Sequence, residues 1–138
     1  MKNILVLCTG NSCRSQMAHG YLNFYCKEKA NIYSAGIEVH GLNSMAIDVM
    51  MDDRINISTY TSNNVDEYIS INFDYIITVC DHANENCPFI SSTNAIRIHQ
   101  NFNDPSKSDL LGLERKENFI LVRNEIKNFC KDFANDNF

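Results

Sequence analysis

Residues 3–15 read Asn3-Ile4-Leu5-Val6-Leu7-Cys8-Thr9-Gly10-Asn11-Ser12-Cys13-Arg14-Ser15, and this stretch decides the fold. The run from Asn3 to Leu7 is short and continuously apolar, the mark of a strand buried on both faces. The chain then turns polar, with Gly10 and Asn11, residue types that tolerate the left-handed backbone a tight curl requires. From Ser15 to about Lys29, Met17, Ala18, Tyr21, Leu22 and Tyr25 recur at three- and four-residue steps, which predicts a helix. Buried strand, tight loop and amphipathic helix, in that order, open a parallel α/β unit.

The alternation continues outward from there. Asn31 to Ala35 (NIYSA) reads as a second strand stopped by Gly36, and Asn43 as the N-cap of a helix to about Met51. A short helix is expected from about Ser62 to Ser70. Phe73 to Val79 (FDYIITV) is another buried strand and Ala95 to His99 (AIRIH) a fourth. From about Leu113 to Phe133, Phe119, Val122, Ile126, Phe129, Cys130 and Phe133 mark one face of a long closing helix. The pattern predicts one α/β domain over residues 1–138, a four-stranded parallel sheet with helices on both faces.

Composition narrows the classes. With 138 residues, 44% hydrophobic and 21% charged, the chain is not disordered, collagen-like or a coiled coil. No apolar run approaches the roughly 18–20 residues that cross a bilayer, and the N-terminus lacks the pattern of a secretory signal. A net charge of −5 argues against nucleic acid or an anionic membrane as partner. A soluble cytoplasmic domain is expected. In that compartment six cysteines point to redox, nucleophilic or metal chemistry rather than a disulfide framework.

Open parallel sheets bind ligands beyond the carboxyl ends of their strands. The first strand ends at Cys8, the FDYIITV strand at Cys80, and AIRIH leads within five residues to Asp104-Pro105. Three chemically useful residues therefore leave the sheet at one edge. Cys8 to Arg14 forms a C-x5-R loop that opens a helix. Its residues Thr9, Gly10, Asn11, Ser12, Cys13, Arg14 and Ser15 can wrap a tetrahedral oxyanion in backbone N–H groups. Arg14 can clamp two oxygens with its planar fork. The same donors favour a thiolate at Cys8, and Ser15 offers that sulfur a further hydrogen bond.

Cys80 and Cys87 flank Asp81-His82-Ala83-Asn84-Glu85-Asn86. If helical, the seven steps set them about 10 Å apart along the axis. A disulfide needs Cα atoms within roughly 7 Å, so the segment would have to unwind or loop out to bridge them. Unrelated thiols, a redox pair and a metal site with His82 and His99 all remain open readings here. Asp104, fixed in an extended conformation by Pro105 just beyond a strand end, reads from the residues alone as a turn starter. Cys13 reads as structural, and Cys26 and Cys130 as small buried hydrophobes.

Four motifs carry a resemblance that spans nearly the whole chain. They are CTGNSCRSQMA at 8–18, YSAGIEVHG at 33–41, C-x6-C-P at 80–88 and Asp104-Pro105. In this order they resemble the thioredoxin-coupled arsenate reductases, which share the low-molecular-weight protein-tyrosine-phosphatase fold. The resemblance implies reduction of arsenate, with Cys8 as nucleophile, Arg14 on the oxyanion and Asp104 as general acid. It further implies a Cys8/Cys80/Cys87 disulfide relay regenerated by thioredoxin, with no metal or organic cofactor. The chain is expected to act as a monomer.

The alternative enzyme is a low-molecular-weight tyrosine phosphatase, hydrolysing phosphoesters through a Cys8 phosphocysteine. Such phosphatases usually read C-R-S-P, where this chain has Gln16, and carry aromatics after Asp-Pro, where it has Ser106-Lys107. Weak phosphatase activity is expected in either case. A non-catalytic arsenite or anion sensor is the third class. Some reductases of this type bind potassium through carboxylates, but the matching positions here are His19 and Asn63, poor ligands for a hard cation. No potassium site is expected, although Asn11 and Ser34 remain and are read as bracing the loop. His19 is read as a surface helix histidine.

Overall fold

A computed structural model describes residues 1–87 and 94–138. Pro88, the last residue of the C-x6-C-P motif, lies outside the described residues. The apolar run forms the centre of the sheet: β1 (Lys2–Cys8) buries Ile4, Leu5, Val6 and Leu7 completely. Burial of each such side chain stabilises the fold by about 1.5–3 kcal/mol, so β1 is the anchor of the core. β1 pairs in parallel with β2 (Ala30–Gly36), Cys8 opposite Gly36, and on its other side with β3 (Tyr75–Thr78), Leu7 opposite Thr78. β4 (Ile96–His99) adds parallel to β3, giving the order β2-β1-β3-β4. All four strands point their carboxyl ends to one edge, as the alternation required.

Side-chain alternation divides the two faces. On one, Ser34 of β2 bonds His19 of α1 (Arg14–Tyr25), and Tyr75 of β3 meets Phe133 and Phe138 at the end of the chain. Phe133 belongs to α4 (Gly112–Asn137), which buries Phe119, Val122, Ile126 and Cys130 against this side. On the other face, Tyr33 packs edge-on to Phe73 and to Tyr68 of a single 3-10 turn, Val65–Tyr68. The short helix α3 (Asp81–Glu85) covers the same side beside Thr78. α2 (Ser44–Asp52) starts at Asn43, whose side chain caps it by accepting from the Ala46 N–H at 3.0 Å.

Four elements differ from the sequence reading, among them the strand expected over 73–79, which shortens to Tyr75–Thr78. α1 ends at Tyr25 rather than near Lys29, because β2 already begins at Ala30 and the whole reversal must fit between them. Glu28 makes that turn in the left-handed region, φ +66°, incompatible with a continuing helix. The expected helix over 62–70 contracts to the one turn Val65–Tyr68. Asn63 and Asn64 ahead of it are held by Asn11 and Ile37, and the Asn64–Glu67 capping box starts the helix only after them. α4 extends at both ends beyond 113–133. The segment between Cys80 and Cys87 is helical, so the two cysteines stand at opposite ends of α3.

Candidate active site

The loop from Cys8 to Ser15 is built so that its carbonyls face outward. The carbonyls of Cys8, Thr9, Gly10 and Ser12 accept from the N–H groups of Ile37, Glu38, His40 and Asn43, at 2.8–3.2 Å. That of Asn11 accepts from Gln16 Nε2 at 3.0 Å. Among the described residues, the N–H groups of Gly10, Ser12 and Cys13 have no protein acceptor. With the acceptors tied to the outer shell, these donors are free for an anion. They border a cavity of about 80 Å³ lined by Cys8, Arg14 and Asp104.

The curl itself needs one left-handed residue, and it is Asn11, φ +48°. Its side chain offsets the strain of that conformation: Nδ2 donates to Ser15 Oγ at 2.7 Å, and Oδ1 accepts from the Asn63 N–H at 2.8 Å. Gly10 serves a different purpose from the expected one. Its backbone is not left-handed; instead a Cβ there would collide with the His40 ring. Cys8 Sγ, buried at the end of β1, lies 2.9 Å from Ser15 Oγ and accepts from the Asn11 N–H at 3.2 Å. Both contacts point hydrogen-bonding groups at the sulfur and hold it at the mouth of the loop.

Arg14, the first residue of α1, is buried, and the segment after β4 fixes its fork. Nη1 donates to the Phe102 carbonyl at 2.9 Å and Nη2 lies 3.5 Å from Asp104 Oδ2. Asp104 Oδ1 accepts from both the N–H and the hydroxyl of Ser106, at 3.0 and 2.6 Å, so Asp104 caps the short turn Pro105–Lys107. Cys8, Arg14 and Asp104 thus meet around one cavity, where the strand-end reading of Cys8 and Asp104 and the loop reading of Arg14 put them.

Cys80, just beyond the end of β3, does not line that cavity but meets the loop beside it, at Thr9. Its Sγ is buried, 3.3 Å from Thr9 Oγ1, and accepts from the Ala83 N–H at 3.4 Å as the cap of α3. Cys87, at the far end of that helix, is half-buried beside Arg97. Cys13 sits inside the loop with its thiol pushed well up by burial first and then by Asp104 and Cys8, so it stays protonated. Cys26 and Cys130 are fully buried and burial raises both thiols. The metal set that the sequence left open does not assemble: His82 bonds Thr9, while His99 bonds Thr78 and Asp81. No group of three or more potential ligands occurs among the described residues.

Two readings need correction. Ser34 does not brace the loop; its hydroxyl pairs with His19 Nδ1 at 2.8 Å. His19 is therefore not a surface histidine: its ring lies tilted against Tyr60, centroids 4.5 Å apart, and burial pulls its pKa down to about 4. These contacts also speak against a potassium ion at this place. Ser34 and His19 satisfy each other, and the Asn63 amide donates to Glu67. One amide oxygen, Gln16 Oε1, is buried without a partner, too little for a hard cation that wants several oxygens, carboxylates foremost. The sequence reading missed His40, Ser106 and Lys107 as cavity-lining residues. The only signal was adjacency: His40 within the YSAGIEVHG motif and the other two directly after Asp104-Pro105.

Comparison with known proteins agrees with this geometry. The family model described as low molecular weight phosphotyrosine protein phosphatase matches residues 3–136. The arsenate reductase of Halalkalibacterium halodurans is 43% identical over 133 residues, covering 96% of this chain and 95% of the relative. That of Bacillus subtilis is likewise 43% identical with the same coverage. A solved arsenate reductase in the phosphate binding state superposes with a TM-score of 0.83 at 29% identity, covering 99% and 98% of the two chains. Another, in the oxidized state, gives 0.80 at 25% identity, with the same coverage. With its oxyanion loop, its sheet order and its full-length relatives in agreement, the chain belongs to the low-molecular-weight phosphotyrosine phosphatase family, among the arsenate reductases.

Proposed function

We propose that this protein reduces arsenate to arsenite by three successive thiols. Cys8 attacks the arsenic of an arsenate held by the loop N–H groups and Arg14. Asp104, at the rim of the same cavity, hands a proton to the leaving oxygen. Cys80 then attacks the Cys8 sulfur. A Cys8–Cys80 bond forms, the sulfur–arsenic bond breaks with its electron pair going to arsenic, and arsenite leaves. Cys87 attacks Cys80, freeing Cys8 and leaving a Cys80–Cys87 disulfide. No step requires a metal or an organic cofactor.

The observation that carries this reading is the second cysteine against the oxyanion loop, Cys80 Sγ at 3.3 Å from Thr9 Oγ1, with Cys87 at the other end of the same helix. A phosphatase has no use for that pair. The long span from Cys80 to Cys87 means α3 must unwind as they join, which delivers the disulfide to the surface. We assign its reduction to thioredoxin, in the cytoplasm, acting on a monomer. Because phosphate is also a tetrahedral oxyanion, weak phosphoester hydrolysis at Cys8 accompanies the main activity. The test is a coupled assay with thioredoxin, thioredoxin reductase and NADPH. Arsenate-dependent NADPH oxidation that disappears in Cys80→Ser and in Cys87→Ser supports the reading. Aryl-phosphate hydrolysis without any arsenate-dependent oxidation contradicts it.

A further inference from the structure

The attack of Cys80 needs its thiol deprotonated, and the structure shows a path for that proton. Thr9 Oγ1 lies 3.3 Å from Cys80 Sγ and 3.1 Å from His82 Nδ1. A hydroxyl can donate once and accept at the same time, so one orientation links all three: Cys80 S–H to Thr9 oxygen, Thr9 O–H to the imidazole. For this, Nδ1 must be the unprotonated nitrogen, with the ring proton on Nε2. Cys80 is buried, whereas His82 is exposed, so the path runs from a desolvated thiol to a base in contact with water. The sulfur left behind keeps the Ala83 N–H at 3.4 Å and the Thr9 hydroxyl as stabilising contacts.

We propose that His82 takes the proton of Cys80 through the Thr9 hydroxyl and so activates the second thiol of the relay. This rests on the reduction pathway given above. In the step, the Cys80 proton moves to Thr9 Oγ1 as the Thr9 proton moves to His82 Nδ1. The thiolate then forms the bond to Cys8, and arsenic receives the electron pair of the broken sulfur–arsenic bond. His82 acts through Thr9 and is a positioning and relay residue, not one that touches arsenic.

Other titratable or charged groups lie on the elements that meet here. The β1 end and loop carry Cys8, Cys13 and Arg14; α3 carries Asp81 and Glu85; β3 carries Tyr75; β4 carries Arg97 and His99. The described contacts direct them elsewhere: Arg14 to Asp104, His99 to Asp81 at 2.7 Å, Arg97 to Cys87 and Tyr75 to Asn137. His82 is the one imidazole bonded to Thr9 among the described residues.

The test uses the full chain carrying Cys87→Ser, which halts the relay at the Cys8–Cys80 disulfide. That disulfide is followed by rapid quench and mass spectrometry after mixing with arsenate, between about pH 5.5 and 9.5, a range that spans the ordinary histidine and thiol values. His82→Gln keeps a hydrogen-bonding side chain but accepts no proton at neutral pH. In the parent, the rate rises with pH as the accepting imidazole is freed of its proton, and then levels off. In His82→Gln it falls about tenfold at pH 7, less than the ~10²-fold usual for losing a general base, because the Thr9 and Ala83 contacts remain. Its rising limb moves to higher pH, because the thiol must then lose its proton without the imidazole. An unchanged rate and limb, or slowing by one factor at every pH with the limb in place, would overturn the relay. A parent that forms no Cys8–Cys80 disulfide would overturn the reduction pathway itself and the relay with it.

Discussion

The Cys8–Ser15 loop and the Cys80–Cys87 segment meet at Thr9 but are built on opposite plans. In the loop, every feature that could wander is tied to a neighbouring element. Its carbonyls are held by Ile37 to Asn43, its left-handed residue Asn11 by Ser15 and Asn63, and its arginine by Phe102 and Asp104. The helix between the cysteines has five residues and, apart from Ala83, is exposed. Side chains rather than core hold it: His99 on Asp81, Asn101 on the Asp81 N–H, Thr9 on His82. Each such contact contributes about 1 kcal/mol at most, so the segment opens far more readily than the loop could. A loop that must stabilise developing charge gains from rigidity. A segment that must carry sulfur from a buried site to the surface gains from being easy to unfold.

Cysteine replacements break this comparison most severely. Cys8→Ser is expected to remove arsenate turnover and aryl-phosphate hydrolysis together, each by at least about 10³-fold, because both reactions start at that sulfur. Cys87→Ser is expected to allow a single release of arsenite per chain and then stop, a burst visible by rapid quench. Continued turnover with thioredoxin would show that α3 need not unwind. On the rigid side, Asp104→Asn should slow the first chemical step about 10²-fold, the lower end for losing a positioned acid. Single-turnover adduct formation at the original rate would exclude the acid role.

The smallest effect concerns His19, which ties α1 to Ser34 of β2. Its folded pKa of about 4 lies below the ordinary histidine value. Below about pH 6.5 the unfolded chain takes up a proton that the folded chain refuses. Stability is therefore full above about pH 6.5 and falls as the pH drops toward 4, by about 2–3 kcal/mol in all. Urea titrations across this range should show the loss, and His19→Gln should flatten it. An equal slope in the variant would assign the acid sensitivity to other groups.

How much of this was legible in the sequence follows from the range of each contact. The strands, the loop and the strand-end gathering of Cys8, Cys80 and Asp104 were readable because apolar runs and turn residues are local signals. The end of α1 was not, since Glu28 carries no glycine-like mark of its left-handed turn. Gly10 was singled out for the wrong reason, because its need for a bare Cα comes from His40, far along the chain. The same holds for Ser34 with His19 and for Thr9 with His82: each pair is set by two elements packing together, which no window of sequence contains.

At the centre of the proposed mechanism, three thiols pass one disulfide from a rigid loop to a labile helix. The most direct test is to mix the fully reduced chain with excess arsenate in the absence of any reductant. The products are then quenched, alkylated and mapped by mass spectrometry alongside a count of arsenite released. The expected result is one arsenite per chain, a Cys80–Cys87 disulfide, and free thiols at Cys8, Cys13, Cys26 and Cys130. Every cysteine still free with no arsenite released, or a disulfide that stays on Cys8, would contradict it.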